Sequence, residues 1–225
     1  MSESAPEPCE AVDWRDLRFV VLLGVIMSGV KLAELSLPEW GLSRTTTDIL
    51  ASTLTLGYII ARARKQPGKL DAWGITTSVS TAAVMTAMLL TGLAAALLAA
   101  CGLLLSGSLA WKPLYLVQMI EYIPAAFPQQ FVLCSVVLTS LATLPIFRGL
   151  WRLPLTVGLL FCLAHLWTPA LIPGTSLPVQ VLITFPAGLS AAFYFPKFRT
   201  ILPLTAIHAV FYPLMNNWIE AYLIN

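Results

Sequence analysis

The sequence predicts an all-α fold, a polytopic bundle of transmembrane helices, from its composition, its apolar runs and the positions of its tryptophans. Hydrophobic residues make up 58% of the 225 residues and charged residues only 11%. A soluble domain has about 25% charged residues. A chain with so few charges cannot cover itself with polar surface, so part of its surroundings must be lipid. The net charge of +2 gives no support for nucleic-acid binding.

Apolar runs occur at seven places in the chain, and crossing a bilayer takes about 20 mostly apolar residues. The runs are 18–37, 46–62, 76–106, 129–147, 154–171, 177–195 and 200–224. Between the third and fourth runs, residues 111–128 are apolar but contain three prolines. This favours a short interfacial helix, with an eighth short span as the alternative. All seven tryptophans lie at or near the ends of these runs, as expected for indole side chains at the headgroup level.

The N-terminus and the basic residues predict the orientation. Residues 1–17 are polar and acidic, which indicates a disordered cytoplasmic tail before a single transmembrane domain of residues 18–225. With seven spans, four basic clusters fall on one side, which the positive-inside rule assigns to the cytoplasm. The C-terminus is then outside, and the short loops suit a bacterial inner membrane. The clusters are Arg15 and Arg18, residues 62–69, Arg148 and Arg152, and Lys197 and Arg199.

The two histidines of the chain are the first candidates for function. His165 and His208 lie inside separate apolar runs, and no histidine lies in a predicted loop. An ionisable group inside the bilayer is costly, so it is a functional hypothesis by default. One hydrogen bond to a backbone carbonyl would be the structural explanation. Metal binding or acid–base chemistry would be the functional one.

Three further polar residues lie near the fourth run. Gln129 and Gln130 open it directly after Pro128, and adjacent amides can orient a carbonyl group or a water molecule. An amide cannot act as a base near neutral pH, and a polar helix start at the interface is the structural alternative. Glu121 is the only acid between Asp71 and Glu220. It is the candidate base if the proline-containing segment folds back towards the histidines.

The second half of the chain, residues 113–217, resembles the CPBP family of intramembrane proteases, which includes CAAX prenyl proteases and bacteriocin-processing enzymes. Phe161 to His165, FCLAH, matches the family's Phe-x-x-x-His helix, and His208 matches the histidine of its later His-x-x-x-Asn helix. Tyr212 stands where the final asparagine is expected, and Asn216 and Asn217 lie one to two turns further on. Two further residues resemble the family between these helices: Gly188 and Tyr194.

The largest departure from the family lies at its Glu-Glu pair, where this chain has Gln129 and Gln130. The spacing from this pair to His165 fits the family. In that family the glutamate is proposed to activate water, and glutamine cannot take the proton. A rival alignment places Glu121 and Tyr122 at the acid pair, with a longer connection to His165.

The resemblance implies an intramembrane endopeptidase acting on membrane-anchored, lipidated or C-terminally hydrophobic proteins in the lipid bilayer. His165 and His208 would hold a divalent metal such as zinc, or a catalytic water and a developing oxyanion. Glu121 would be the base, and Gln129 and Gln130 would position the scissile carbonyl. Two alternatives remain open. One is a catalytically inactive binding or chaperone subunit, favoured by the glutamines, and the other is a small proton-coupled transporter.

Overall fold

The computed structural model describes residues 13–40, 44–75, 78–107, 109, 111–147, 149–165, 177–215 and 217–218. Throughout these residues the secondary structure is helical and no strand occurs, which confirms the all-α fold class. The helices are α1 (Trp14–Ser36), α2 (Arg44–Lys65), α3 (Lys69–Ala72), α4 (Thr81–Ser106), α5 (Leu114–Ala142), α6 (Arg152–His165), α7 (Leu177–Phe198) and α8 (Leu202–Met215). Short 3-10 turns follow α1 and α5, at Pro38–Trp40 and Pro145–Phe147.

A helix overlaps each of the seven predicted apolar runs. In the described part of the chain, Thr81–Leu104 and Leu114–Ala142 are long and apolar enough to cross a membrane. Arg152–His165 and Leu202–Met215 are apolar but shorter. Length and composition therefore support two spans, and the number seven stays a prediction. Several predicted features lie outside the described residues: the tail up to residue 12, the ends of the fifth and last runs, Arg148, Trp167 and Asn216.

The proline-containing segment is not a separate interfacial helix, because it forms the first half of α5, which continues from Leu114 to Ala142. Pro128 has no backbone N–H for the carbonyl of Pro124, four residues earlier. The hydroxyl of Ser52 on α2 lies 2.6 Å from that carbonyl and donates to it. Helix α2 thus supplies the hydrogen bond that Pro128 cannot donate to Pro124, and α5 continues past the proline. Phe131–Leu138 then forms a π-helix, a form frequent at functional sites.

Helix α1 begins at Trp14, inside the predicted disordered tail. The carboxylate of Asp13 accepts a hydrogen bond from the backbone N–H of Arg15 at 3.0 Å and so caps the helix. Residues 14–17, about one helical turn predicted as the end of the tail, therefore belong to the first helix. Asp13 and Asp16 have partners elsewhere in the fold.

Asp16 is the centre of a charge network and is buried, with only 4% of its surface exposed. The hydroxyl of Tyr58 donates to it at 2.5 Å, and the indole N–H of Trp73 donates at 3.0 Å. The ammonium of Lys69 lies 3.0 Å away, and Nε of Arg62 lies at the ion-pair distance of 3.4 Å. We call this group, together with Asp13, the charge network.

The second carboxylate of the charge network, that of Asp13, lies 2.6 Å from both Arg62 and Lys69. Partial burial would raise the pKa of Asp13, but the hydrogen bond from Lys69 and its charge outweigh this and lower the pKa. Burial would lower the pKa of Lys69, but the hydrogen bonds to the two carboxylates and their charges outweigh this and raise the pKa. Two carboxylates balance two cations, so the network joins α1, α2 and α3 without net charge.

Trp73 corrects the prediction that every tryptophan lies at the headgroup level, because only 2% of its surface is exposed. Its indole packs edge-on against Phe131 on α5, with ring centroids 5.0 Å apart. The hydroxyl of Ser135 donates to its backbone carbonyl at 2.5 Å. Trp73 is thus a core residue, and its indole N–H donates to the carboxylate of Asp16. The tryptophans that are more than half exposed, as an interfacial position requires, are Trp14, Trp40, Trp111 and Trp151.

Candidate functional site

Three helices bring four of the predicted site residues together. Gln129 and Gln130 lie on α5, His165 ends α6, and His208 lies in the middle of α8. The ring of Phe161, one turn before His165, packs against both imidazoles. Its centroid lies 4.4 Å from that of His165 and 5.9 Å from that of His208. We call the two imidazoles, with the amides beside them, the imidazole site.

Close packing of α6 against α7 fixes the position of Phe161. A Cβ at Gly188 on α7 would lie 2.7 Å from the Cβ of Phe161 and 3.0 Å from the Cα of Gly158. A methyl group does not fit at that distance, so only glycine allows this approach. Phe161 is only 7% exposed, and the close packing of α6 against α7 holds its side chain in place.

The backbone determines the tautomer of His165. Its Nδ1 lies 2.7 Å from the carbonyl oxygen of Phe161. A carbonyl can only accept, so in the neutral imidazole Nδ1 carries the proton and Nε2 carries the lone pair. This is the backbone hydrogen bond that the structural explanation of an intramembrane histidine requires. It also makes Nε2 the basic atom of the ring.

The amide of Gln130 determines the tautomer of His208. Its Nε2 lies 3.0 Å from Nδ1 of the imidazole, and its Oε1 accepts from the thiol of Cys134 at 3.8 Å. The amide N–H therefore donates to Nδ1, and the proton of a neutral His208 is on Nε2. Gln130 is 5% exposed, so this interaction is shielded from solvent.

The two imidazoles thus differ in polarity at Nε2. Nε2 of His165 accepts a proton, and Nε2 of His208 donates a hydrogen bond. Both rings are only partly buried. A base beside a donor is the pair of functions that addition of water to a carbonyl requires.

Two tyrosines border the imidazole site, and the motif search used neither as a functional residue. The ring of Tyr122 lies 5.8 Å from that of His208, and Tyr212 stacks on Tyr122 with centroids 3.9 Å apart. The amide of Gln129 donates to the hydroxyl of Tyr122 at 3.4 Å. Tyr122 and Gln129 are seven residues apart and so share a helix face, and this spacing is a signal that the sequence contains.

The carbonyl oxygen of the Gln129 side chain, Oε1, is buried and accepts no hydrogen bond from the described residues. Buried polar atoms in proteins almost always have a partner, and an unpaired one costs about 1–3 kcal/mol. This oxygen lies beside the imidazole site, next to an amide nitrogen that is already used. It is therefore an acceptor for a molecule that enters the site.

Glu121 is not brought to the imidazoles. Its side chain is exposed and makes no hydrogen bond or ion pair with the other residues that the structure describes. Since consecutive residues of an α-helix point about 100° apart, it faces away when its neighbour Tyr122 faces His208. The predicted fold-back does not occur because the prolines are accommodated within α5. Of the rival pair Glu121–Tyr122, the tyrosine borders the site and the acid does not.

The donor set around the imidazoles does not fit a catalytic zinc ion. Such sites use three protein ligands, usually histidine, cysteine or a carboxylate. The described part of the chain contains no group of three or more of these residues placed to hold a metal. In addition, ligation of His208 through Nε2 would require Nδ1 to carry the proton, where Gln130 now donates. The predicted metal role of His165 and His208 therefore stays a prediction.

Comparisons of this chain with family models, curated proteins and solved structures found no match. The resemblance to the CPBP family accordingly rests on the motif residues themselves: FCLAH, His208, Gly188 and Tyr194.

Proposed function

We propose that this chain is an intramembrane endopeptidase of CPBP type that hydrolyses a peptide bond in membrane-anchored or hydrophobic-tailed proteins. His165 is the general base, and His208 is the hydrogen-bond donor to the developing oxyanion. The observation that carries this assignment is the opposite tautomers of the two imidazoles, which both pack against Phe161. The motif resemblance supplies the reaction class.

The reaction needs only these two rings and water. Nε2 of His165 takes a proton from water while the water oxygen attacks the carbonyl carbon, and the carbonyl π electrons move to the oxygen. The N–H of His208 donates to that oxyanion. The imidazolium of His165 then gives its proton to the amide nitrogen as the C–N bond breaks. The products are a carboxylic acid and an amine, and both imidazoles return to their starting form.

The glutamines have separate roles in this mechanism. Gln130 is a positioning residue, because it holds the tautomer of His208 and does not touch the substrate. Gln129 is the residue that can contact it, since its Oε1 is an acceptor for a substrate N–H or for water. A site with amides in place of the family's acids must take its base from elsewhere, and His165 supplies it.

A multi-pass arrangement in a bacterial inner membrane fits this function, with the N-terminus in the cytoplasm and the C-terminus outside. Support comes from the two long apolar helices and from the helices that overlap the other five apolar runs. The charge network lies with the basic residues at the predicted cytoplasmic end. A substrate that is itself held in the bilayer would reach partly exposed imidazoles laterally.

A catalytically inactive binding subunit is the second candidate. The observation that favours it is the lack of a carboxylate near the imidazoles among the described residues, with Glu121 exposed on α5. Under this reading the same amides and rings bind a hydrophobic protein segment without cleaving it. The two candidates differ in what the imidazoles do, so substitution of the histidines separates them.

The test begins with the membrane-anchored proteins that accumulate uncleaved when the gene is deleted. One of these is then incubated with the purified protein in lipid nanodiscs. We expect His165→Ala and His208→Ala to lower the cleavage rate by about 10²–10⁴-fold, the usual contribution of a positioned acid–base group. Glu121→Gln is the matched control on α5 and should cleave normally.

Two results would contradict the mechanism. Binding of the substrate without cleavage by the unsubstituted protein would establish the binding subunit. Loss of cleavage in Glu121→Gln would show that Glu121, and not His165, is the general base.

A further inference from the structure

The interface between α5 and α8 carries polar groups well beyond the imidazole site. Towards the Leu114 end of α5, the amide of Asn217 donates to Oε1 of Gln118 at 3.1 Å and to the carbonyl of Pro213 at 2.6 Å. Between this contact and His208 lies the stack of Tyr122 on Tyr212. We call these groups the polar seam. Its members on α5 are Gln118, Tyr122, Gln129 and Gln130, its members on α8 are His208 and Tyr212, and Asn217 follows α8.

The contacts of the polar seam follow one another in order. Gln130 meets His208, Tyr122 meets Tyr212, and Gln118 meets Asn217. As the residue number falls on α5 it rises on the other side, so the two segments run antiparallel. Twelve residues separate Gln118 from Gln130, which is about 18 Å of helix at 1.5 Å per residue. The seam therefore leads from the imidazole site most of the way to the start of α5.

Apart from Glu121, which is exposed, the polar side chains of α5 between Gln118 and Gln130 lie in the seam. The other side chains that α5 turns outward there are apolar, and the large ones are about half exposed or more: Leu116, Val117, Ile120 and Ile123. One interhelical hydrogen bond in a membrane contributes little to the association of two helices, and apolar packing holds most helix pairs together. A continuous series of amides, phenols and an imidazole is more than the attachment of two helices requires.

The unpaired oxygen of Gln129 is an independent sign of what the seam binds. It belongs to the side chain whose amide nitrogen donates to Tyr122, next in sequence to Gln130, and no described residue donates to it. A buried polar atom in a polar setting of this kind is ordinarily satisfied by water, which needs two to four such partners. The hydroxyl of Tyr122, which accepts from the same amide, is a polar group close to this oxygen.

We propose that the polar seam binds a file of water molecules and is the route by which water reaches the imidazole site from the Leu114 end of α5. The proposal deepens the proposed function, since hydrolysis consumes one water for each bond cleaved. The route itself depends only on the polar groups that line it. It can therefore be tested separately from cleavage.

Neighbouring positions at one depth of α5 provide the test. Tyr122→Cys places a thiol in the seam, and Ile123→Cys places one on the outward apolar face. Both variants are reconstituted in nanodiscs, where each membrane face is open, and treated with a charged, membrane-impermeant thiol reagent. Labelling of each residue is read by mass spectrometry of its peptide, so the native cysteines do not interfere. Because only a hydrated thiol ionises and reacts, we expect Tyr122→Cys to label at least about tenfold faster.

A blocking variant tests whether the whole seam carries water. Gln118→Leu combined with Asn217→Leu makes the contact nearest the Leu114 end apolar at similar volume. It should slow the labelling of Tyr122→Cys and lower kcat for cleavage without changing KM, and each single leucine should act in the same direction. Equal labelling of Tyr122→Cys and Ile123→Cys would overturn the route, whatever the protein's activity. A labelled seam in a protein that does not cleave would overturn the hydrolase and leave the route.

Discussion

The charge network and the imidazole site both place polar groups among apolar helices, but they satisfy them in different ways. In the charge network, formal charges balance and the buried carboxylate of Asp16 receives a hydrogen bond from Tyr58 and one from Trp73, beside the ammonium of Lys69. The imidazole site has neutral rings and amides, is partly exposed, and leaves Oε1 of Gln129 unpaired among the described residues. The network also contains a buried nitrogen without a hydrogen bond, Nε of Arg62, but it lies 3.4 Å from the carboxylate of Asp16 as an ion pair. Balanced charges hold these helices together, whereas Oε1 of Gln129 is an acceptor that a bound molecule can use.

Helix α5 contacts both the charge network and the imidazole site, through two consecutive residues. Gln130 turns towards His208, and Phe131, the next residue, packs against Trp73. Consecutive side chains of a helix point about 100° apart, so α5 presents one to each region. The charge network therefore fixes the rotation of α5 about its axis, and that rotation aims Gln130 at the imidazole.

Removal of Asp16 should have the largest effect. Asp16→Ala leaves Tyr58 and the indole of Trp73 without their acceptor, and Lys69 with Asp13 alone. Breaking one side of a buried ion pair costs about 3–5 kcal/mol. Denaturant or thermal unfolding followed by tryptophan fluorescence measures the loss. Asp71→Ala, an exposed acid two residues before Trp73, is the control and should stay within about 0.5 kcal/mol of the parent. Equal stability of the two variants would show that the network does not hold the helices.

Replacement of Gly188 should have an intermediate effect that reaches the imidazole site. The added methyl of Gly188→Ala would lie 2.7 Å from the Cβ of Phe161, so α6 and α7 must separate. Overpacking of this kind costs about 1–3 kcal/mol. Because Phe161 packs against both imidazoles, we also expect the cleavage rate per folded molecule to fall.

Gly92→Ala on α4 is the matched control for this substitution. No heavy atom lies within 4 Å of its added Cβ, and alanine favours a helix more than glycine does. It should leave cleavage unchanged and stability equal or higher. A Gly188→Ala variant with full activity would show that the position of Phe161 does not govern the imidazoles.

The helices could be predicted from the sequence because hydrophobicity is a local property, and each apolar run overlaps a helix. The continuity of α5 could not, because the group that makes Pro128 tolerable is the hydroxyl of Ser52, on another helix. The structure of the N-terminal acids was missed for a similar reason. Asp13 and Asp16 look like parts of a tail until Arg62 and Lys69 are placed beside them.

The imidazole site was partly predictable, since a histidine or an amide inside an apolar run is conspicuous. His165, His208, Gln129 and Gln130 were found in this way, and the structure brings them together. Glu121 was chosen because it is a rare acid, but rarity says nothing about the direction of a side chain. The polar seam was missed because tyrosines and amides near the ends of apolar runs are common, and only the pairing of α5 with α8 gives them a shared role.

The smallest expected effect is a pH dependence that belongs to the charge network alone. Asp13 has a folded pKa below its ordinary value of 3.8, so its contribution to stability is present above that value and is lost as the pH falls through the folded pKa. Lys69 has a folded pKa above its ordinary value of 10.5, so its contribution is lost only as the pH rises beyond 10.5. Between these limits the network should be insensitive to pH.

Asp13→Asn removes the acid limb of this dependence. Its unfolding midpoint should lie slightly below that of the parent at neutral pH, and the two curves should approach each other as the pH falls below 3.8 towards the folded pKa, where the parent carboxyl becomes protonated too. Asp71→Asn should give a curve parallel to that of the parent throughout. Midpoints measured from pH 3 to pH 8, in about half-unit steps, test this. If Asp13→Asn also ran parallel to the parent, Asp13 would be a helix cap only, and Asp16 alone would hold the two cations against α1.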